Sequence, residues 1–216
     1  MPIAEPALAP SLTRRLAGVV PANLQMNATW AAIRRARDAA KQAAHDYSPS
    51  LMIAWCITRA MVRHPAFRGS VQENGNVAVL TDFELGVSVA LGGDRLATAV
   101  IPGANRLDWR GFAVAYSHAL AEARAGRQES VQAPLILTSI GALGIEVATP
   151  IVMPPAMGTL VVGQAHVRMV CDEGIVRPEE IVTLSLTFDH RVANGVGAAA
   201  FLHDVKVEIE GFALPG

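Results

Sequence analysis

The sequence predicts an α/β fold of the two-layer α+β kind, a mixed sheet with helices packed on it. Three observations carry this. Helical and strand patterns run in the order two helices, strands, helix, strands, helix, an order that suits a mixed sheet. Of the 216 residues 51% are hydrophobic, enough to bury a sizeable core. No internal repeat, low-complexity tract or linker divides the chain after its first dozen residues. A single domain over residues 11–216 is expected, preceded by an extended arm, residues 1–10, rich in proline and alanine.

The stretch TWAAIRRARDAAKQAAHD, Thr29 to Asp46, holds good helix formers and no breaker, with Thr29 or Asn27 as its cap. A second helix runs from Ser50 to about Arg63, between the turn YSPS and His64-Pro65, because a proline disfavours helix for the residue before it. Strand signals follow at NVAVL beyond the turn ENGN, at FELGVSVAL, and at LATAVIP after the turn GGD, and these strands are expected to be neighbours. The segment LDWRGFAVAYSHALAEARAG predicts a third helix, capped by Asp108 and ended by Gly126. APLILTSI, MGTLVVGQAHVRMV and EIVTLSLTFD read as three further strands, and GVGAAAFLHDVKVEIE as a last helix.

With 18 basic against 19 acidic side chains, no charge draws this surface toward nucleic acid or an anionic membrane. The longest apolar run, Leu143 to Gly163, carries Glu146 and three prolines, so it reads as strand, turn and strand rather than a membrane span. High mean hydropathy then points to subunit contact and an oligomer. Cys56 and Cys171 each sit in an apolar segment, which fits buried, reduced thiols in a cytoplasmic protein, and the N-terminus lacks the pattern of a secretion signal.

There is no GxxxxGK[ST] phosphate loop, no GxGxxG after a strand, no HExxH and no GxSxG elbow, and no metal site is expected. His45, His64, His118 and His203 lie in or at the ends of helical stretches and His166 in a strand, positions that suit structural roles. His190 differs. The strand TLSLTF runs straight into DHR, and the chain then turns at ANG into a small-residue helix, which sets the imidazole on a rigid strand end beside a helix N-terminus. Position alone leaves a catalytic base and a charged turn both open. A second feature is ILTSIGALG, where Thr138 and Ser139 end a strand and Gly141 and Gly144 let a backbone or a ligand come close. Its two readings are a self-capped turn and a hydroxyl donor for an oxyanion.

The segment LSLTFDHRVANG resembles the D-H-R-x-x-[DN]-G signature of the dihydrolipoamide acyltransferases, the core subunits of 2-oxo acid dehydrogenase complexes. LTSIGALG followed by TPIVMPPAMGTLVVG, and upstream SPSLMIAWCITRAMVRHPAFRGSV with LGVSVAL, resemble further segments of that family's catalytic domain in the same order. The resemblance covers roughly residues 11–212 and implies the chloramphenicol acetyltransferase-like fold. It also implies a homotrimer with active sites between subunits, each reached by coenzyme A from one end and by an acyl-carrying dithiol from the other. By the same resemblance His190 is the catalytic base, and imidazole suits that work because its unperturbed pKa, about 6.5, lies near neutrality. Thr138 falls where the family has a serine that donates to the oxyanion from the neighbouring subunit, with Ser139 as the alternative donor and Gly141 beside them in the channel. Asn194 falls on the family's Asp-or-Asn position. An amide cannot neutralise an arginine, which leaves the pairing of Arg14, Arg15 and Arg191 open.

The chain shows no lipoyl domain and no peripheral subunit-binding domain, so the resemblance implies a lipoyl group supplied in trans, by a lipoyl-bearing protein that works with dehydrogenase components, or as a free small molecule. Two other readings stand beside this one. The first is a coenzyme A-dependent acetyltransferase acting on a small alcohol or amine, although Asp189 stands where that enzyme's motif begins with histidine. The second is a catalytically weakened trimeric scaffold.

Overall fold

In the computed structural model, which describes residues 10–71, 76–93, 95–127 and 132–215, the chain opens with a short helix, α1 (Pro10–Leu16), and a nine-residue strand, β1 (Pro21–Thr29). The expected arm over 1–10 lies outside the described residues but for Pro10, and so do residues 73–75 of the ENGN turn and Asp94 of GGD. Then come α2 (Ala31–Gln42), α3 (Pro49–Arg63), β2 (Gly69–Val71), β3 (Val77–Val79), β4 (Leu85–Ala90), β5 (Leu96–Ile101) and α4 (Trp109–Arg124). The rest is β6 (Leu135–Ser139), β7 (Gly158–Val162), β8 (His166–Asp172), β9 (Ile175–Asp189) and α5 (Gly195–Glu210).

The main sheet is mixed, in the order β1-β9-β7-β6-β4-β5, parallel at β4/β6 and β6/β7 and antiparallel elsewhere. One face carries Leu85, Val87, Leu135, Leu137, Leu160, Leu184, Leu186 and Phe188, all buried in a common core with residues of α2 to α5. The helix α5 shows why. Ala198, Phe201, Leu202, Val205 and Ile209 recur at helical spacing and are buried, and each large one contributes about 1.5–3 kcal/mol. Phe67 stacks on Phe201 with ring centroids 4.1 Å apart and meets Phe188 edge-on at 6.4 Å, joining α5 to the end of β9. The opposite face is hydroxyl- and amide-rich: Ser88, Thr138, Thr159, Ser185, Thr187 and Asn23 share it. Ser185 and Thr187 are buried there and accept hydrogen bonds from Asn23 Nδ2 at 3.1 and 2.9 Å.

Five expectations are corrected. The first helix begins at Ala31, because Asn23, Gln25 and Asn27 alternate with Ala22, Leu24, Met26 and Ala28 to make β1, and Thr29 ends that strand. Neither proposed cap acts as one: Trp30 stands at the cap position with no side-chain cap bond, and Asn27 Oδ1 accepts from Thr183 Oγ1. NVAVL is not a neighbour of the next strand; β3 pairs with β2 in a separate two-stranded sheet. MGTLVVGQAHVRMV breaks at residues 163–165 into β7 and β8, both lying along the same edge of β9. Finally, Cys171 is exposed on the ribbon formed by β8 and the first half of β9, whereas Cys56 is buried and its thiol is pushed far up by that burial. The caps foreseen at Asp108, which accepts from the Gly111 N–H at 2.7 Å, and at Gly126, with φ 73°, are present.

Candidate active site

The histidine is held by its backbone. β9 ends at Asp189, whose N–H donates to the Met157 carbonyl, and the His190 N–H donates to the Val20 carbonyl at 2.7 Å. The Asp189 carbonyl then accepts from the Val192 and Ala193 N–H groups, which turns the chain toward α5. Asn194 Oδ1 accepts from the Gly197 N–H at 2.8 Å, so Asn194 is the cap of that helix. The His190 side chain is exposed, with its ring 5.7 Å from that of Phe188.

Asp189 organises this corner. Its carboxylate is 2% exposed and takes Arg191 Nε at 3.0 Å on both oxygens, the Arg191 N–H at 3.1 Å and the Val20 N–H at 3.4 Å. Arg191 Nη2 closes the pair on Oδ2. Arg191 therefore has its aspartate, two residues before it rather than at position 194. Burial alone would raise the Asp189 carboxyl, but the Arg191 side chain and the two backbone donors outweigh it and hold the group below its ordinary value. A depressed carboxyl contributes stability that is complete above the unfolded value, about 3.9, and is lost as pH falls through the folded one. Because Arg191 is partly exposed, the pair is worth less than a buried one. Asp189→Asn is expected to cost about 1–2 kcal/mol at pH 7, or roughly 2–8 °C in melting temperature. Thermal melts at pH 7 and pH 3 check it: the gap to wild type narrows at pH 3, and an unchanged gap would refute the assignment.

Thr138 lies elsewhere. It is half-buried on β6, its Oγ1 2.8 Å from Ser88 Oγ on β4, while Ser139, next along the strand, is exposed and points to the other face. Gly141 sits where the chain passes over the β7–β8 break. A Cβ there would lie 3.0 Å from the Gly163 carbonyl oxygen, a tight contact, and one on Gly163 would overlap the Glu146 backbone, so Gly163 needs glycine for that crossing.

The register decides how these parts relate. Thr138 is opposite Val161, and Val161 opposite Ser185, whereas His190 lies five residues beyond Ser185. Five residues of strand and two inter-strand steps separate the two groups by roughly 20 Å within one chain. One chain thus brings His190 and Asn194 to one corner, and Thr138, Ser139 and Gly141 to another. A cavity of about 430 Å³ flanks the histidine's corner, lined by Val19, Pro21, Asn23, Ile151 and Thr187 among others. Ser88 is the residue that sequence reading missed, since only strand pairing sets it beside Thr138. Among the described residues no cluster of three His, Cys, Asp or Glu side chains could hold a metal ion, and no helix is long and apolar enough to cross a membrane.

The mixed sheet with helices on one face is a fold shared with chloramphenicol acetyltransferase. That enzyme superposes with a TM-score of 0.60 at 14% identity, covering 92% of this chain and 94% of its own. A probable dihydrolipoamide acetyltransferase from Listeria monocytogenes has the same fold more closely, with a TM-score of 0.85 at 19% identity over 99% and 95% of the two chains. So does the Azotobacter vinelandii dihydrolipoamide acetyltransferase, at 0.80 and 23% over 93% and 85%, a structure in which the role of one serine, one histidine and one asparagine in the catalytic mechanism was investigated. The chain belongs to the 2-oxoacid dehydrogenase acyltransferase (catalytic domain) family, whose model matches residues 7–215. In sequence it is 36% identical over 172 residues to the Bacillus subtilis dihydrolipoyllysine-residue acetyltransferase component of an acetoin cleaving system, spanning 76% of this chain and 42% of that protein. The chain thus spans less than half the length of this curated relative.

Proposed function

We propose that the chain transfers an acyl group between coenzyme A and a lipoyl-type dithiol carried by another protein or free in solution, as a homotrimer. The single observation that supports this most is the roughly 20 Å between His190 and Thr138 in one chain, which suits a site made by two subunits. The Azotobacter vinelandii residues support the assignment too: serine to histidine and histidine to asparagine stand there at the same spacings as Thr138, His190 and Asn194 here.

On this reading the His190 imidazole takes the proton of the dithiol's reacting sulfur, and the thiolate attacks the acyl carbonyl of the coenzyme A thioester. Thr138 of the adjacent subunit donates its hydroxyl proton in a hydrogen bond to the tetrahedral oxyanion. Collapse breaks the carbon–sulfur bond to coenzyme A, whose thiolate recovers the proton from the imidazolium, and no acyl group becomes attached to the protein. Asn194 and the Asp189–Arg191 pair keep the His190 turn fixed, while Ser139 and Gly141 follow Thr138 at the mouth of the channel. The ribbon of β8 and β9, with Val167, Met169, Ile175 and Val176 each 60% or more exposed, suits contact with a second subunit. Dehydrogenase components and a lipoyl-bearing protein are the partners this chemistry calls for, and two free thiols fit a cytoplasmic setting.

The test is to incubate the purified chain with acetyl-coenzyme A and dihydrolipoamide and follow thioester formation. Acetyl-dihydrolipoamide and free coenzyme A are expected in equal amounts. Activity confined to a panel of small alcohols or amines would favour the second acceptor class, and inactivity with every acyl donor and acceptor would favour a scaffold.

A further inference from the structure

The hydroxyl proposed to face the oxyanion is hydrogen-bonded to a neighbour. Ser88 Oγ lies 2.8 Å from Thr138 Oγ1, because β4 and β6 run parallel with Val87 opposite Leu137, and the next pair in register is Ser88 and Thr138. Both side chains are half-buried on the hydroxyl-rich face, with Thr98 of β5 opposite Ser88 on its other side. This contact has two polarities with different consequences. Each hydroxyl carries one proton and can accept through two lone pairs. If Thr138 donates to Ser88, its only proton is committed inside the sheet and none is left for a ligand. If Ser88 donates, Thr138 Oγ1 accepts, and the threonine proton is free to point away from β4.

We propose that Ser88 is a positioning residue for the reaction: by donating to Thr138 Oγ1 it turns the threonine's single proton outward, to where the oxyanion forms. Two effects follow. A hydrogen bond received by an oxygen polarises its own O–H, so Thr138 becomes a better donor in the transition state. The bond also holds the Oγ1 arm of a β-branched side chain whose γ-methyl would otherwise compete for the same direction. Ser88 itself touches no reacting atom. This inference rests on the reading of Thr138 as oxyanion donor, and its test separates the two.

The experiment is a double-mutant cycle of wild type, Ser88→Ala, Thr138→Ala and the double variant, with Ser88→Thr as the conservative control. Steady-state kinetics use acetyl-coenzyme A and dihydrolipoamide, and melting curves check each fold. Ser88→Ala is expected to lower kcat about 3- to 20-fold with KM changed less than about twofold, because ground-state binding does not use the bond. Ser88→Thr, which keeps the hydroxyl, is expected to stay within about twofold of wild type, and adding Ser88→Ala to Thr138→Ala is expected to cost nothing more. If Thr138→Ala is strongly impaired while Ser88→Ala matches wild type, Ser88 has no such role. Equal multiplicative losses in both backgrounds would likewise overturn it. If Thr138→Ala keeps full activity, the reading of Thr138 itself falls.

Discussion

His190→Ala is expected to lower acyl transfer from acetyl-coenzyme A to dihydrolipoamide by about a hundred- to ten-thousandfold, the usual contribution of a positioned acid-base group. Its fold is expected to survive. The side chain is exposed, and what holds this residue in place is its backbone N–H on the Val20 carbonyl, which alanine keeps. Asp189, Arg191 and the Asn194 cap also remain, so the variant removes the imidazole and leaves the corner built around it. Thioester formation at pH 7, with melting curves of both proteins, checks it. An alanine variant that melts as wild type does and turns over within a few fold of it would remove His190 from the chemistry.

The second large effect is a recovery. Thr138→Ala alone is expected to lose about a hundred- to a thousandfold, as sites do when an oxyanion donor is removed. Mixed with His190→Ala chains and allowed to dissociate and reassemble, the pair is expected to recover about a quarter of wild-type activity. That is the share of sites in which random assembly joins an intact histidine to an intact threonine from the next subunit. The expectation follows from the register, because Thr138 shares its row with Val161 and Ser185 while His190 lies five residues past that row. A mixture as inactive as its components, under conditions where wild-type chains exchange, would overturn the site made by two subunits. Sedimentation as a monomer at micromolar concentration would remove the between-subunit site altogether.

Much of the fold was legible because its signals are local. The apolar positions 198, 201, 202, 205 and 209 write α5 into the sequence, and Asp108 and Gly126 mark the ends of α4 by capping chemistry that depends on few neighbours. β1 was legible in principle, since Asn23, Gln25 and Asn27 alternate with apolar residues, but the helix formers after it drew the helix boundary too early. The break between β7 and β8 was not legible. It exists because the backbone at Glu146 crosses over Gly163, a contact between distant segments that leaves only a glycine as its trace.

The candidate site divides the same way. The sequence by itself determined the histidine at a strand end, the hydroxyl pair Thr138–Ser139 and the asparagine before α5, since each is tied to a turn or cap whose chemistry is written within a few residues. Only the tertiary structure decided that Arg191 pairs with Asp189, that Thr138 rather than Ser139 meets Ser88, and that His190 and Thr138 stand roughly 20 Å apart in one chain. The physical reason is strand register. Backbone pairing between segments far apart in the chain fixes which side chains become neighbours, and a shift of one residue would turn every one of them to the other face.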